Sequence, residues 1–185
     1  MNVTSSRTGA SLTFLAGWIL SFGLRLIPFR PPNLETILTV QSPFTKRFGF
    51  ATGFIFAFAN IALFDIMTGK LGLWTLITAV SYGLLALFSV WYFKKRVGTP
   101  LQFGLHALYA TLMYDAVTSL TIGPLFFGQS FTEAFFGQIP FTAYHLIGNV
   151  VLGVLISPLI LRWVVLNPRL NFARPWLKAE TNPRI

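Results

Sequence analysis

LWTLITAVSYGLLALFSVWYF, residues 73–93, carries no charge from end to end and runs directly into Lys94-Lys95-Arg96. At 1.5 Å per residue the run is about 31 Å long, which matches a hydrocarbon core about 30 Å thick. A soluble helix of this length needs a charged or strongly polar face toward water, and none is present. An uncharged run closed by a cluster of cations reads as a transmembrane helix ending at the membrane surface.

Working outward, the same pattern recurs. Toward the N-terminus, a span from about Phe48 to Met67 stops near Gly69. Before it lies a shorter apolar segment, Asn33 to Phe44, closed by Pro43 and Lys46-Arg47. A first span, Gly9 to Phe29, ends at Pro28 and Pro31-Pro32, which cannot continue a helix. Toward the C-terminus, Pro100 to Ile122 reads as a fifth span ended by Gly123-Pro124. An aromatic loop, Leu125 to Gly137, then leads to a last span, Ile139 to Val165. The expected architecture is an all-α integral membrane protein, a six-helix transmembrane bundle over residues 1–166 with a basic cytoplasmic tail at 167–185.

Composition agrees. Of 185 residues 54% are hydrophobic and 10% charged, where a soluble domain has about a quarter charged; the mean hydropathy is +0.66. The net charge of +9 is not gathered into a nucleic-acid patch, because the cations sit in the gaps between apolar runs. With no cysteine, disulfides and thiolate chemistry are excluded. The N-terminus reads as a retained helix rather than a cleaved signal, since its apolar stretch is too long.

The short second segment is tested by charge. A helix of about 12 residues reaches only about 18 Å. If it nevertheless crosses, one side collects Arg7, Lys46, Arg47, Lys94, Lys95, Arg96, Arg162, Arg169, Arg174, Lys178 and Arg184, and the other keeps Arg25, Arg30 and Lys70. If it does not cross, that asymmetry collapses. Positive residues favour the cytoplasm, so six spans with both termini cytoplasmic is the reading. The acids sort oppositely: Glu35, Asp65, Asp115 and Glu133 fall toward the outside, and Glu180 alone falls within.

Two kinds of feature stand out within the spans. Gly9, Thr13, Gly17 and Ser21, and separately Gly49, Gly53 and Ala57, recur every four residues. Such stripes let helix backbones approach closely, either inside this bundle or, for the first helix, against a separate subunit. The second feature is polar. An ionisable group inside a membrane is costly, yet Asp115 lies in the fifth span, Asp65 ends the third, and His145 and Asn149 share a face of the last. With Asn60 at similar depth, these groups make either satisfied interhelical hydrogen bonds or a polar cavity open to the exterior, lined by Trp74, Tyr114 and Tyr144. Acids in such a cavity suggest a ligand carrying donors or a positive charge.

The stretch Arg25-Leu-Ile-Pro28-Phe-Arg-Pro-Pro-Asn33-Leu resembles the first loop of the substrate-binding S components of energy-coupling factor (ECF) transporters. Phe64-Asp65-Ile-Met-Thr-Gly-Lys-Leu-Gly-Leu-Trp74-Thr is similar to their third-to-fourth helix connection, and Ile139-Pro140-Phe141-Thr-Ala-Tyr-His145-Leu-Ile-Gly-Asn149 to their last helix. The resemblance implies a six-helix subunit of the cell membrane that captures a vitamin-like micronutrient at its outer face. It further implies docking on an ECF transmembrane coupling subunit and two cytoplasmic ATPase subunits. For substrate contacts the resemblance carries over only a region, the first loop and the outer ends of helices three to six. The polar and aromatic residues read above and in that region, Asn33, Asn60, Asp65, Trp74, Tyr114, Asp115, His145 and Asn149, are the expected contacts, with Leu125–Gly137 and the first loop as expected lids. Docking would use Gly9, Thr13, Gly17 and Ser21, which lack the family's Ala-x-x-x-Ala pair.

The chain has no Gly-x-x-x-x-Gly-Lys-Ser/Thr loop, so ATP hydrolysis would belong to partners. No cofactor or metal site is expected: two histidines, His106 and His145, make a poor metal inventory. The alternatives are a structural or assembly subunit without ligand, and a membrane-embedded enzyme using Asp65, Asp115 and His145.

Overall fold

The computed structural model describes residues 4–26, 35–167 and 170, with side chains from Thr13 onward. Among the described residues seven α-helices follow in order: α1 Thr4–Arg25, α2 Ile37–Phe48, α3 Phe50–Met67, α4 Leu73–Phe93, α5 Pro100–Phe127, α6 Phe131–Leu155 and α7 Ser157–Ile160. A π-helical turn, Leu161–Val165, closes the series, and no strand occurs among the described residues. Three helical stretches of this described part are long and apolar enough to cross a bilayer: Phe50–Met67, Leu73–Phe93 and the broken rod Phe131–Val165. The basic tail expected at 167–185 lies outside the described residues apart from Asn167 and Leu170.

The distribution of side chains is inverted relative to a soluble protein. Leu15, Ile19, Ile55, Leu63, Leu84, Leu87, Leu112, Val117, Ile147 and Leu155 are exposed, while Gln41, Asn60, Ser89, His106, Thr111, Asp115, His145 and Asn149 are buried. Water would reverse that order; hydrocarbon around the bundle accounts for it. The chain is a membrane protein.

Successive long elements run in alternating directions, which the contacts at their ends show. At one end Lys46 Nζ donates to the Arg96 carbonyl at 2.6 Å. Leu161 also packs beside Gly98 there. At the other end Arg25 faces Glu35 at 3.9 Å, and Thr75 Oγ1 donates to Asp65 Oδ2 at 2.6 Å. The first end carries Lys46, Arg47, Lys94, Lys95, Arg96 and Arg162; Glu35, Asp65 and Glu133 belong to the second. We refer to them as the basic and acidic ends.

Helix α2 is the axis of the bundle. Every residue from Ile37 to Thr45 is buried, although Thr39, Gln41, Ser42 and Thr45 are polar. Gln41 Nε2 donates to the Gly53 carbonyl of α3 at 3.2 Å and to the Tyr82 carbonyl of α4 at 2.9 Å. Ser157 Oγ donates to the Thr39 carbonyl at 2.8 Å. Phe44 stacks on Phe56 with centroids 5.4 Å apart. This segment therefore sits among the other helices rather than against lipid. Pro43 and Lys46-Arg47, expected to close it, lie inside the helix, whose last turn places both cations where carbonyls are unpaired.

Two further expectations are corrected. The fifth helix does not stop at Gly123-Pro124 but continues to Phe127, ending on Gly128 at φ +64, a left-handed conformation that favours glycine. The expected aromatic loop, Leu125–Gly137, shrinks to three residues, 128–130, because α6 begins at Phe131. Its start is set by a capping box: Glu133 N donates to Ser130 Oγ at 3.2 Å, and Ser130 N donates back to Glu133 Oε2 at 2.8 Å. Pro140 is accommodated within α6.

Candidate functional site

Five elements bring side chains together at the acidic end. Trp74, Thr78 and Tyr82 lie four residues apart on α4, and Phe141, His145 and Asn149 four apart on α6, so each set shares one helix face. Tyr114 comes from α5, Ile61 and Asp65 from α3, and Arg25 from the last turn of α1. Together with Glu35 and Lys70, all of these except Asn149 line a cavity of about 240 Å³. A second hollow of about 460 Å³ lies on the other side of Thr78, Tyr114 and Phe141 and is lined also by Thr118, Ser119, Gln129, Glu133 and Gln138. Small-molecule sites typically occupy about 300–1,000 Å³, and the two chambers share a wall.

The chemistry is set by a buried chain of polar groups. His145 Nδ1 lies 2.8 Å from Asp115 Oδ1, with both side chains 2% exposed. A carboxylate accepts, so Nδ1 carries the proton and donates. With Nδ1 committed to the carboxylate, Nε2 is the ring nitrogen left toward the cavity wall, 3.4 Å from the Tyr82 hydroxyl. Asp115 thus acts on the cavity through His145, fixing its ring and tautomer. Tyr82 and Tyr114 pack with centroids 4.0 Å apart. Tyr114 and Phe141 meet the His145 ring edge-on at 5.9 and 5.6 Å. Trp74 at the mouth is oriented by its Nε1–H, which donates to the Lys70 carbonyl at 3.1 Å.

Asp65 is anchored by Thr75, whose hydroxyl donates to it while accepting from the Gly72 N–H at 3.1 Å. The carboxylate ties the end of α3 to the start of α4 and faces the cavity as well.

Of the residues singled out from sequence, Asp65, Trp74, Tyr114 and His145 line the cavity. Asp115 stands one layer behind, and its other face borders an apolar groove of about 400 Å³ between α5 and α6. Asn149 is deeper still: its Nδ2 donates to Thr111 Oγ1 at 2.8 Å. Asn60 bonds its own helix, donating to the Phe56 carbonyl at 3.1 Å, and neither amide reaches the cavity. Asn33 lies outside the described residues. Tyr144 points away and is exposed.

Sequence reasoning passed over Arg25, Glu35, Thr78, Tyr82 and Phe141 as wall residues. Trp74-x-x-x-Thr78-x-x-x-Tyr82 was a legible signal, a polar and aromatic ridge at helical spacing in an otherwise aliphatic run.

The stripe on α1 faces inward. Thr13, Gly17 and Ser21 are buried, with Gly9 earlier on the same helix. A Cβ at Gly17 would enter the Phe44 ring, and the Ser21 carbonyl accepts from Thr36 Oγ1 at 3.1 Å. At Gly17 this face packs on Phe44 of the chain's own α2, and Thr13 Oγ1 donates to the Leu170 carbonyl at 3.4 Å. Among the described residues no group of three His, Cys, Asp or Glu could hold a metal ion.

Comparison with protein-family models, curated proteins and solved structures finds no match to this chain.

Proposed function

We propose that the chain is the substrate-binding membrane subunit of an ECF-type importer, which captures a small vitamin-like ring compound at its outer face. The observation that carries the reading is the acidic-end cavity, where side chains from five elements converge on one space with aromatic walls and a hydrogen-bonding floor. A bundle held together only for structure gains nothing from that space: unfilled volume and buried polar groups both cost stability. Trp74 and Tyr114 stack on the ring, and His145 Nε2 accepts from a donor on it.

The orientation follows from charge. Six crossings, with α2 as a short one inside the bundle, leave the basic end in the cytoplasm and the cavity outside. Both termini are then cytoplasmic, in the cell membrane. The sequence resemblance supplies the energising partners, a transmembrane coupling subunit and two ATPases whose ATP-driven movement carries the loaded subunit inward.

A second reading is favoured by one feature: an Asp115–His145 pair with a tyrosine hydroxyl on the far nitrogen could serve a membrane-embedded enzyme as a general base. Native mass spectrometry of the purified full chain separates the two. A stoichiometric small molecule that is released unchanged, and lost in His145→Ala, supports the binding subunit. A molecule returned chemically altered supports the enzyme. An empty protein that binds nothing from a micronutrient panel removes both.

A further inference from the structure

Arg25 is 8% exposed and forms part of the cavity wall. Its Nε and Nη1 atoms have no hydrogen-bond partner among the described residues. Glu35 Oε2 is 3.9 Å from Nε, close enough to balance charge and too far for a hydrogen bond. The Phe64 ring lies 4.3 Å from the guanidinium carbon and holds the planar group in place from one side. A buried guanidinium with unfilled donors favours an anion, which it holds through charge-assisted N–H bonds. The carboxylates of the cavity are differently placed. Asp65 already accepts from Thr75, and Glu35 is the counter-charge beside Arg25. Lys70 adds a second cation at the rim.

We infer that the cavity takes a ring-bearing acid, with its carboxylate or phosphate on Arg25 and its ring against Trp74 and the Tyr82–Tyr114 pair. This rests on the binding-subunit reading and names the class of ligand for it. It reverses the expectation drawn from the acids in the sequence, because Arg25 brings open N–H donors to the wall while Asp65 is already engaged by Thr75. The aromatic walls favour a soluble aromatic acid over a lipid headgroup as the source of the anion.

The test uses the full chain in discs of phosphatidylcholine, which supplies no anionic headgroup. The probes are matched in shape: benzoate, benzamide and benzylamine, and nicotinate against nicotinamide. Each acid is expected to bind about tenfold or more tighter than its amide, the value of one charge-assisted hydrogen-bonded contact. Arg25→Gln should bring that ratio to about one; Arg25→Lys, which keeps charge but loses the planar guanidinium, should fall between. An amide or amine that binds as tightly as the acid overturns the inference, as does an acid preference that survives Arg25→Gln. Displacement of the acids by phosphatidylglycerol added to the discs assigns Arg25 to a headgroup and equally overturns it. Binding of none of the probes, with no small molecule found by mass spectrometry, refutes the binding-subunit reading itself.

Discussion

Removing the Asp115 carboxylate tests whether the buried pair is a coupled unit or two neighbours. Oδ1 accepts from His145 at 2.8 Å with both side chains 2% exposed, and Oδ2 has no partner among the described residues. In Asp115→Leu the His145 Nδ1–H is buried with nothing to accept it. A lost bond to a charged group together with an orphaned donor costs about 2 kcal/mol or somewhat more. In His145→Phe the carboxylate loses its partner and the Tyr82 hydroxyl its long contact at 3.4 Å, which should cost about 2–3 kcal/mol. The double variant replaces both partners by apolar groups of similar volume and leaves no charge behind, so it should lie within about 1 kcal/mol of the parent. The single effects thus exceed the double by about 3 kcal/mol, a coupling at the upper end for contacting residues. Titration with SDS in mixed micelles, followed by circular dichroism, measures all four proteins. Additive effects, with coupling below about 0.5 kcal/mol, would falsify the picture of Asp115 acting through His145.

Three other outcomes follow from the packing and topology. A methyl group at Gly53 would enter Thr45 Oγ1 and come within 2.9 Å of Ala86 Cβ, whereas one at Gly23 meets none of the described residues within 4 Å. Gly53→Ala should therefore cost about 1–3 kcal/mol by overpacking, and Gly23→Ala should be neutral or slightly stabilising; equal effects in the same titration would show that close helix approach is not what Gly53 provides. Gln41→Leu removes two interhelical bonds and is expected to cost about 1 kcal/mol, at about 0.6 kcal/mol per bond in membrane proteins. The chain has no cysteine, so single cysteines report topology without background: a membrane-impermeant maleimide should label Lys70→Cys in intact cells and Lys95→Cys only after permeabilisation. Labelling of both without permeabilisation would overturn the orientation.

The apolar runs were legible because composition and length suffice to mark them. Leu73–Phe93 is bounded in the structure as it is in the sequence, since a charge cluster at one end and glycines at the other leave no ambiguity. Helix α5 was cut short because Gly123-Pro124 is a breaker pair in water. Here Gln129 N closes on the Gly123 carbonyl at 3.4 Å and the helix runs on. The start of α6 was written in Ser130-x-x-Glu133, overlooked because the aromatic run around it resembled a loop. The candidate site was half visible. Asp65, Trp74, Tyr114 and His145 were found by asking which polar or aromatic groups sit at one depth. Asn60 and Asn149 satisfied that criterion too, yet they face neighbouring helices. Depth along a helix is read from position, while rotation about its axis is decided by packing, and Arg25 was passed over because it looked like a topological cation.

The buried, polar character of α2 has a consequence for how the protein is made. A segment carrying Thr39, Gln41, Ser42, Pro43, Thr45 and Lys46 within a dozen positions has too little apolar surface to partition from the translocon into lipid on its own merits. On the six-crossing reading it must enter alongside α3 and α4, whose backbone carbonyls accept from Gln41. Biogenesis is then cooperative from the second helix onward, and a lesion that loosens α3 or α4 should first appear as failed insertion of α2, and as degradation of the nascent chain, rather than as a defect in a finished protein.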